Sequence, residues 1–208
     1  MKYNFYGWEN ADVSPVDAKY SRIKNPREMY DLMSQIWCAE TCAPRMRDRW
    51  TRENQTLGQC SITAFLAQDI FGGEVYGILR DGGNYHCYNV IGDCVFDLTS
   101  EQFGDEKLCY EGNPQQFREV HFAKEEKRLR YEYIKSELEK ILATYYKAVE
   151  ICEEDYGCEG VPENSEPMCS VLVTDGNENE KILKLSDRFL TENKIDTGVF
   201  FTISSSKL

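Results

Sequence analysis

The sequence predicts an α+β protein in which an apolar helix packs on an antiparallel sheet. Residues 60–71 are apolar on nearly every side, which is typical of a helix buried in a core. Three short segments with strand character follow, at Glu74–Leu79, Asn84–Ile91 and Cys94–Leu98. Glycine-containing turns separate them and are too short for a crossover, so neighbouring strands pair antiparallel. Helices set against such a sheet define the α+β class.

The N-terminal quarter contains one clear helix signal. Asn25 provides a capping side chain and Pro26 suits the first helical position. Apolar residues then recur at helical spacing, which predicts a helix of about three turns. Residues 1–24 are rich in aromatic side chains but have no periodicity, and we expect them to form a partly ordered arm on the surface.

The C-terminal half predicts a long amphipathic helix over residues 124–152 and then a small β-rich module. The module has strands at Met168–Thr174, Glu180–Leu185 and Gly198–Ser204, and a short helix at Asp187–Glu192. We therefore divide the chain into a core with its arm and first helix (1–122), the long helix (123–154) and the module (155–208). A module of this size rarely folds alone, so we expect it to pack on the rest.

Composition narrows the classes of partner. The 208 residues carry a net charge of −12. A nucleic-acid or anionic membrane surface binds a basic face, so we expect neither as a partner. No apolar run is long enough to span a bilayer. The first residues lack the features of a signal peptide and the nine cysteines are odd in number, which favours reduced thiols in the cytoplasm. The acidic charge favours a basic or neutral acceptor.

Cys60, His86 and Asp97 follow one another on the helix start, the second strand and the third strand. If a two-residue turn follows Ile91, counting back along the hairpin places Tyr88 opposite Asp97. Since side chains alternate along a strand, His86 shares the face of Tyr88. His86 and Asp97 are then diagonal neighbours, roughly 7–8 Å apart at their α-carbons. A carboxylate at that distance can orient the imidazole ring.

The start of a helix suits a reactive thiol. Unpaired N–H groups, the helix dipole and a nearby imidazolium all lower a thiol pKa, which would make Cys60 a nucleophile. Its backbone N–H and a side-chain amide from Gln59, Gln55 or Asn54 are candidates for stabilising an oxyanion, and the sequence does not choose among the three. Tyr88 is a candidate for the cleft wall beside His86.

Other interpretations must be set beside this one. A cysteine that opens an apolar helix is often only a small core residue, and a histidine on a strand is often structural. We assign the second histidine, His121, a structural role. A zinc-stabilised domain would use Cys38 and Cys42, but a tetrahedral site needs two further ligands, for which Cys87 or Cys94 are the candidates. We predict neither a metal nor a cofactor.

The stretch from about 45 to 105 resembles the YunG-like family of uncharacterised proteins. The motifs that carry the resemblance are Gly58-Gln59-Cys60 with Thr63-Ala64, Gly72-Gly73, His86-Cys87-Tyr88-Asn89, and Phe96-Asp97-Leu98-Thr99 with Gln102-Phe103. The family often has His-Tyr-Trp-Asn at the third of these. More broadly the arrangement resembles the papain/transglutaminase-like superfamily. That resemblance implies a papain-like core, in which the nucleophile helix packs on the sheet, and a possible thiol chemistry.

We therefore predict a cysteine-dependent hydrolase or acyltransferase that acts on an amide, isopeptide or ester bond. Cys60 would attack the carbonyl, His86 would transfer the proton and Asp97 would orient His86. The substrate would be a peptide or a small amide or ester. The alternative is a catalytically idle papain-like module that binds a protein. In either case the C-terminal module offers a surface for a protein partner.

Overall fold

A computed structural model describes residues 3–143, 145–157, 161, 165–175 and 179–203. Within these ranges the chain is mixed α+β, with five α-helices and seven strands in two antiparallel sheets. It divides into two compact units, one ending at Glu139 and one beginning at Lys140. Among the described residues, no helix combines the length and the apolar character that crossing a bilayer requires.

The first unit is built on a three-stranded antiparallel sheet in the order β1-β2-β3. Its strands are β1 (Glu74–Arg80), β2 (Asn84–Ile91) and β3 (Cys94–Phe96). The register predicted for the second hairpin is confirmed, since Ile91 pairs with Cys94 and Asn89 with Phe96. Strand β3 ends two residues earlier than expected, because the Asp97 N–H donates to the Tyr6 carbonyl at 3.0 Å.

Two helices of this unit position Cys60. Helix α1 (Pro26–Ile36) begins as predicted, with the Asn25 side chain accepting from two backbone N–H groups. Helix α2 (Cys60–Phe71) packs mainly on β2. The Trp37 indole N–H donates to Thr63 Oγ1 at 3.1 Å, and Asn89 Nδ2 donates to the Ala64 carbonyl at 2.9 Å. These buried bonds fix α2 against both neighbours, and with it the position of Cys60.

The N-terminal arm is not a surface appendage, and that expectation is wrong. Phe5, Ala11, Tyr20 and Ile23 are each 2% exposed or less. The Phe5 ring stacks on Tyr30 of α1 with centroids 5.3 Å apart. The arm buries apolar residues at irregular intervals, so a search for helical or strand periodicity gives no sign of its burial.

The long helix predicted over residues 124–152 is also wrong in extent. A short α3 (Arg118–Phe122) precedes α4 (Glu125–Ala143), and β4 (Tyr145–Glu153) follows it. Residues 145–151 contain aromatic and β-branched side chains, which favour strands. Their spacing also fits a helical face, and pairing with strands from later in the chain decides between the two patterns.

The second unit is a four-stranded antiparallel sheet in the order β6-β5-β4-β7, with one helix. Its further elements are β5 (Met168–Thr174), β6 (Glu180–Ser186), α5 (Asp187–Glu192) and β7 (Phe200–Thr202). Its core includes Val171, Val173, Leu183 and Phe201. The positions of β5, β6 and α5 agree with the sequence prediction. Strand β7 is shorter than the predicted segment, whose last residue, 204, lies outside the described residues.

Candidate active site

The fold brings Cys60, His86 and Asp97 together. Cys60 is the first residue of α2, His86 lies in β2, and Asp97 follows β3 directly. His86 Nε2 lies 2.5 Å from Asp97 Oδ2, and the two residues are 2% and 1% exposed. The imidazole therefore donates its Nε2–H to a carboxylate shielded from water. This bond leaves Nδ1 as the ring nitrogen available to Cys60.

The carboxylate of Asp97 is held by further donors. Its Oδ1 accepts from the Thr99 N–H at 3.0 Å and from the Thr99 hydroxyl at 3.1 Å. Its Oδ2 accepts from the Tyr110 hydroxyl at 2.9 Å as well as from His86. Burial, and then the charge of Asp97, raise the pKa of Tyr110 well above the ordinary tyrosine value, so the phenol remains a donor. The sequence analysis missed Tyr110, which lies in a loop without any periodic pattern.

Tyr110 is itself held by two tyrosines. The Tyr6 ring stacks on it with centroids 3.7 Å apart, and the Tyr88 ring meets it edge-on at 5.0 Å. The Tyr88 hydroxyl donates to the Tyr110 carbonyl at 2.9 Å. Tyr88 was a candidate for the cleft wall, but it is absent from the cavity lining. Tyr88 instead holds Tyr110, whose hydroxyl donates to Asp97.

Electrostatics favour the charged form of His86. Burial alone lowers its pKa, but the charge and hydrogen bond of Asp97, followed by those of Cys60, raise it to about 10. The Phe103 ring meets the imidazole edge-on with centroids 4.6 Å apart and an interplanar angle of 84°. His86 is thus an imidazolium at neutral pH, fixed in orientation by a ring and a carboxylate.

Cys60 is coupled to that imidazolium. Burial acts to raise its pKa, but the proximity and charge of His86, together with the Cys87 N–H, outweigh burial, so the pKa lies below the usual thiol value. The side chain is half-buried and lines a cavity. His86 Nδ1 is buried and makes no hydrogen bond of normal geometry within the described residues. Transfer of the thiol proton to this nitrogen yields a thiolate–imidazolium pair.

The backbone just before Cys60 requires glycine. Gly58 has φ +69°, and a Cβ at this position would lie 2.7 Å from Cys42 Sγ and 2.9 Å from the Ala43 nitrogen. Its N–H donates to Gln102 Oε1 at 3.3 Å, and its carbonyl accepts from the Ala43 N–H at 3.1 Å. A side chain at residue 58 would push this segment away and move Cys60 with it.

None of the three amide side chains that we predicted as oxyanion candidates lines the cavity. Gln59 is fully buried, and its Nε2 donates to the Cys38 carbonyl at 3.1 Å. Gln55 Nε2 donates to Ser34 Oγ at 3.1 Å, and Asn54 Oδ1 is buried. The Gln59 and Gln55 bonds tie the turn before α2 to α1 and the residues just after it. Sequence separation from Cys60 does not determine where such side chains point.

Two other groups are better placed. Gln102, which the sequence motif contained but to which we assigned no role, lines the cavity beside Cys60. Its Nε2 donates to the Thr99 carbonyl at 2.8 Å. The first N–H groups of a helix have no intrahelical acceptor, and the Gln59 side chain does not cap α2. The N–H at Cys60 therefore remains the best oxyanion donor that the sequence identified.

The cavity next to Cys60 and His86 has a volume of about 750 Å³. That volume falls in the range of small-molecule sites in proteins. Its uncharged walls include Gly58, Tyr85, Gln102 and Phe103. Within the described ranges, no group of three or more His, Cys, Asp or Glu side chains is placed to hold a metal ion. Cys42 Sγ instead lies 3.5 Å from the Ala43 carbonyl.

Comparisons with known proteins place this region in a family. No solved structure matches the chain. The "Uncharacterized protein YunG" of Bacillus subtilis (strain 168) is 38% identical over 72 residues, which are 35% of this chain and 57% of the relative. The match thus spans little more than half of that relative. The sequence profile described as "YunG protein" matches residues 25–143, which include Cys60, His86 and Asp97. The chain belongs to the YunG protein family.

Proposed function

We propose that this protein is a cysteine-dependent hydrolase or acyltransferase of the papain/transglutaminase-like superfamily, acting on an amide, isopeptide or ester bond. The observation that carries the proposal is the buried His86–Asp97 pair beside a cysteine at a helix start, with Cys60 and His86 lining a cavity. A nucleophile, a base and a group that orients the base are the parts that covalent acyl chemistry requires.

In the first half-reaction the Cys60 thiolate attacks the carbonyl carbon of the substrate. A C–S bond forms, and the carbonyl π electrons move to oxygen. The backbone N–H of Cys60, at the positive end of α2, stabilises the resulting oxyanion. This step needs a thiolate at neutral pH, and the lowered pKa of Cys60 supports that requirement.

His86 then acts as the acid. Its Nδ1 proton passes to the leaving nitrogen or oxygen as the carbon–heteroatom bond breaks, which leaves a thioester on Cys60. Asp97 retains its hydrogen bond to Nε2 throughout and stabilises the imidazolium before transfer. In the second half-reaction His86 removes a proton from water or from an amine, which attacks the thioester and releases the thiolate.

The decisive experiment is alkylation of all nine cysteines by iodoacetamide between pH 5 and 9, followed site by site with mass spectrometry. Cys60 is expected to react about a hundredfold faster than exposed Cys109 and Cys152 near pH 6, because its lowered pKa leaves more of it as the reactive thiolate. His86→Ala removes the imidazolium and should abolish this advantage.

His121→Gln provides the control, because it removes the other histidine, whose side-chain hydrogen bonds are to Gln116 and Lys127 and not to Cys60 or His86. The expected result is that Cys60 retains its fast reaction in this variant. Slow labelling of Cys60 in the wild type, with no change in His86→Ala, would contradict the proposal. That outcome would favour the catalytically idle protein-binding module, and capture of a partner would then be the next experiment.

A further inference from the structure

The cavity beside Cys60 has the opposite charge to the chain as a whole. The protein carries a net charge of −12. The cavity, however, is lined by six basic side chains and only two acidic ones, Asp81 and Glu126. The basic ones are Arg45, Arg49, Arg80, Lys124, Lys127 and Arg130. Net charge therefore does not describe what this cavity binds, and the preference for a basic or neutral acceptor drawn from it does not apply here.

Only part of this positive charge is neutralised by neighbouring side chains. Arg80 forms a two-pronged ion pair with Glu106, with both N–O distances at 2.8 Å. Arg130 Nε lies 3.0 Å from Glu126. The other four, Arg45, Arg49, Lys124 and Lys127, form no ion pair with any residue that the structure describes. Against Asp81, the remaining acidic side chain of the lining, they leave an excess of positive charge around the cavity.

Lys127 is held in place by a chain of uncharged groups. Its Nζ lies 3.1 Å from His121 Nδ1, and His121 Nε2 lies 3.0 Å from Gln116 Oε1. Burial, and then the charges of Lys127 and Lys124, lower the pKa of His121 to about 4, so the ring is neutral. It accepts from the ammonium at Nδ1 and donates its Nε2–H to Gln116. This arrangement positions a cation at the cavity without neutralising it.

The two lysines lie at a helix end that favours anions over cations. Helix α4 begins at Glu125, so Lys124 precedes it directly and Lys127 lies in its first turn, which also contains Glu125 and Glu126. The helix dipole places positive charge at this end, where cations are disfavoured and anions are stabilised. The Cys60 thiolate contributes one negative charge, but His86 already balances it. The excess positive charge thus remains for a ligand.

We propose that the substrate of Cys60 carries a carboxylate or phosphate group, which binds among Arg45, Arg49, Lys124 and Lys127 while its carbonyl lies at the thiolate. This inference rests on the proposed function and narrows it to acidic amides and esters. Arginine forms paired hydrogen bonds to carboxylate and phosphate oxygens, and lysine adds a compact charge. A cavity of about 750 Å³ accommodates such an anion together with the reacting acyl group.

The test compares two alkylating reagents that differ chiefly in charge, iodoacetate and iodoacetamide. The rate constant for iodoacetate divided by that for iodoacetamide is measured at Cys60 and at the exposed Cys109 and Cys152, which lie outside the cavity. The ratio at Cys60 is expected to be about tenfold higher than at the two reference cysteines in low salt, because the cavity attracts the anionic reagent. High salt should reduce this difference.

Variants locate the effect. Arg45→Gln combined with Arg49→Gln, and separately Lys124→Gln, should each lower the ratio at Cys60. Arg128→Gln is the matched control, since Arg128 lies in α4 but outside the cavity and should leave the ratio unchanged. Equal ratios at Cys60 and at the reference cysteines would overturn the inference. So would a ratio that the cavity variants leave unchanged.

The two proposals fail in different ways. Slow iodoacetamide labelling of Cys60 that does not depend on His86 counts against the proposed function, whatever the ratio. Fast labelling with an ordinary ratio counts only against the anionic substrate. If Cys60 reacts with neither reagent, thermal unfolding is measured with glutarate, with inorganic phosphate, and with chloride at equal ionic strength. Stabilisation by glutarate or by phosphate that is lost in Arg45→Gln combined with Arg49→Gln supports an anion site and shows which of the two anions the site prefers. No stabilisation by either anion overturns the inference.

Discussion

The two histidines of this chain occupy sites of similar burial and opposite chemistry. His86 is 2% exposed and His121 is 7% exposed. The pKa of His86 is raised to about 10, whereas that of His121 is lowered to about 4. His86 donates to a carboxylate, and His121 accepts from an ammonium. The carboxylate thus favours the charged form of His86, and the ammonium favours the neutral form of His121.

The difference shows that burial alone does not decide the state of each ring, because the neighbouring charge opposes burial at His86 and reinforces it at His121. Burial disfavours the imidazolium at both sites. At His86 the charge and hydrogen bond of Asp97 overcome that effect, and at His121 Lys127 adds to it. One ring therefore favours the charged form, and our proposal uses its proton for the leaving group, while the other is a neutral link that holds a cation.

Asp97→Asn is the change that should weaken the contrast most. Without the carboxylate charge only Cys60 still opposes burial, so the pKa of His86 should fall from about 10 toward the ordinary histidine value of about 6.5. NMR titration of the imidazole resonances measures this, with His121 in the same spectra as the reference. An imidazolium at residue 86 that persists at pH 8 in the variant would contradict our account.

The histidines should affect stability in opposite pH ranges. His121 has a folded pKa of about 4, so its contribution is complete above its unfolded pKa of about 6.5 and is lost as pH falls through 4. Between pH 6.5 and pH 4 the unfolding free energy of His121→Gln should therefore fall by less than that of the wild type, with a difference on the order of 2 kcal/mol. Urea unfolding of wild type and variant across this range provides the measurement.

On the alkaline side the sign is reversed. The raised pKa of His86 gives a contribution that is complete below about 6.5 and is lost as pH rises through about 10. His121→Gln should leave that alkaline loss as it is in the wild type. An equal change on both sides of neutrality would mean that the variant acts through packing and not through the titration of His121.

Tyr110→Phe tests whether the hydroxyl that donates to Asp97, the partner of His86, stabilises the fold. The variant removes the O–H that donates to Asp97 and retains a ring that can stack on Tyr6. Unfolding free energy should fall by about 1.5 kcal/mol, because a charged acceptor loses a buried donor. Tyr76→Phe is the matched control, since its hydroxyl donates to exposed Glu74 and should cost less. Similar losses in both variants would deny Tyr110 a special role.

Lys127→Met tests how much the ammonium contributes to the lowered pKa of His121, and it has the smallest expected effect of these variants. Removing the ammonium should raise the pKa of His121, because one repelling charge is gone, while burial continues to hold it below the ordinary value. The gain in proton affinity is about 1 kcal/mol. The measurement is NMR titration of His121, with His86 as the internal reference. An unchanged His121 would show that burial alone sets its state.

The His86–Asp97 pair was predictable because it depends on local rules. A two-residue turn fixes the pairing of Ile91 with Cys94, and side-chain alternation does the rest. The bounds of α2 were predictable for a similar reason, since an apolar run ends at Gly72-Gly73. These features require no knowledge of distant parts of the chain.

The remaining parts of the site were not predictable because they depend on contacts between distant segments. Tyr110 reaches Asp97 from an irregular loop, and Tyr6 reaches Tyr110 from the arm that we expected on the surface. The amides of Gln59 and Gln55 were near Cys60 in sequence, but packing turns them toward Cys38 and Ser34. Likewise, β4 is a strand because of its partners, which come later in the chain.

The position of Tyr6 has a practical consequence for anyone who shortens this protein. A fragment cut to the family-matched residues 25–143 would contain Cys60, His86 and Asp97. It would lack the carbonyl that accepts from the Asp97 N–H and the ring that covers Tyr110. A recombinant fragment designed from the family boundaries alone would therefore carry Cys60, His86 and Asp97 without the Tyr6 contacts that position Asp97 and Tyr110. If such a fragment were inactive, that result would say nothing about the whole chain.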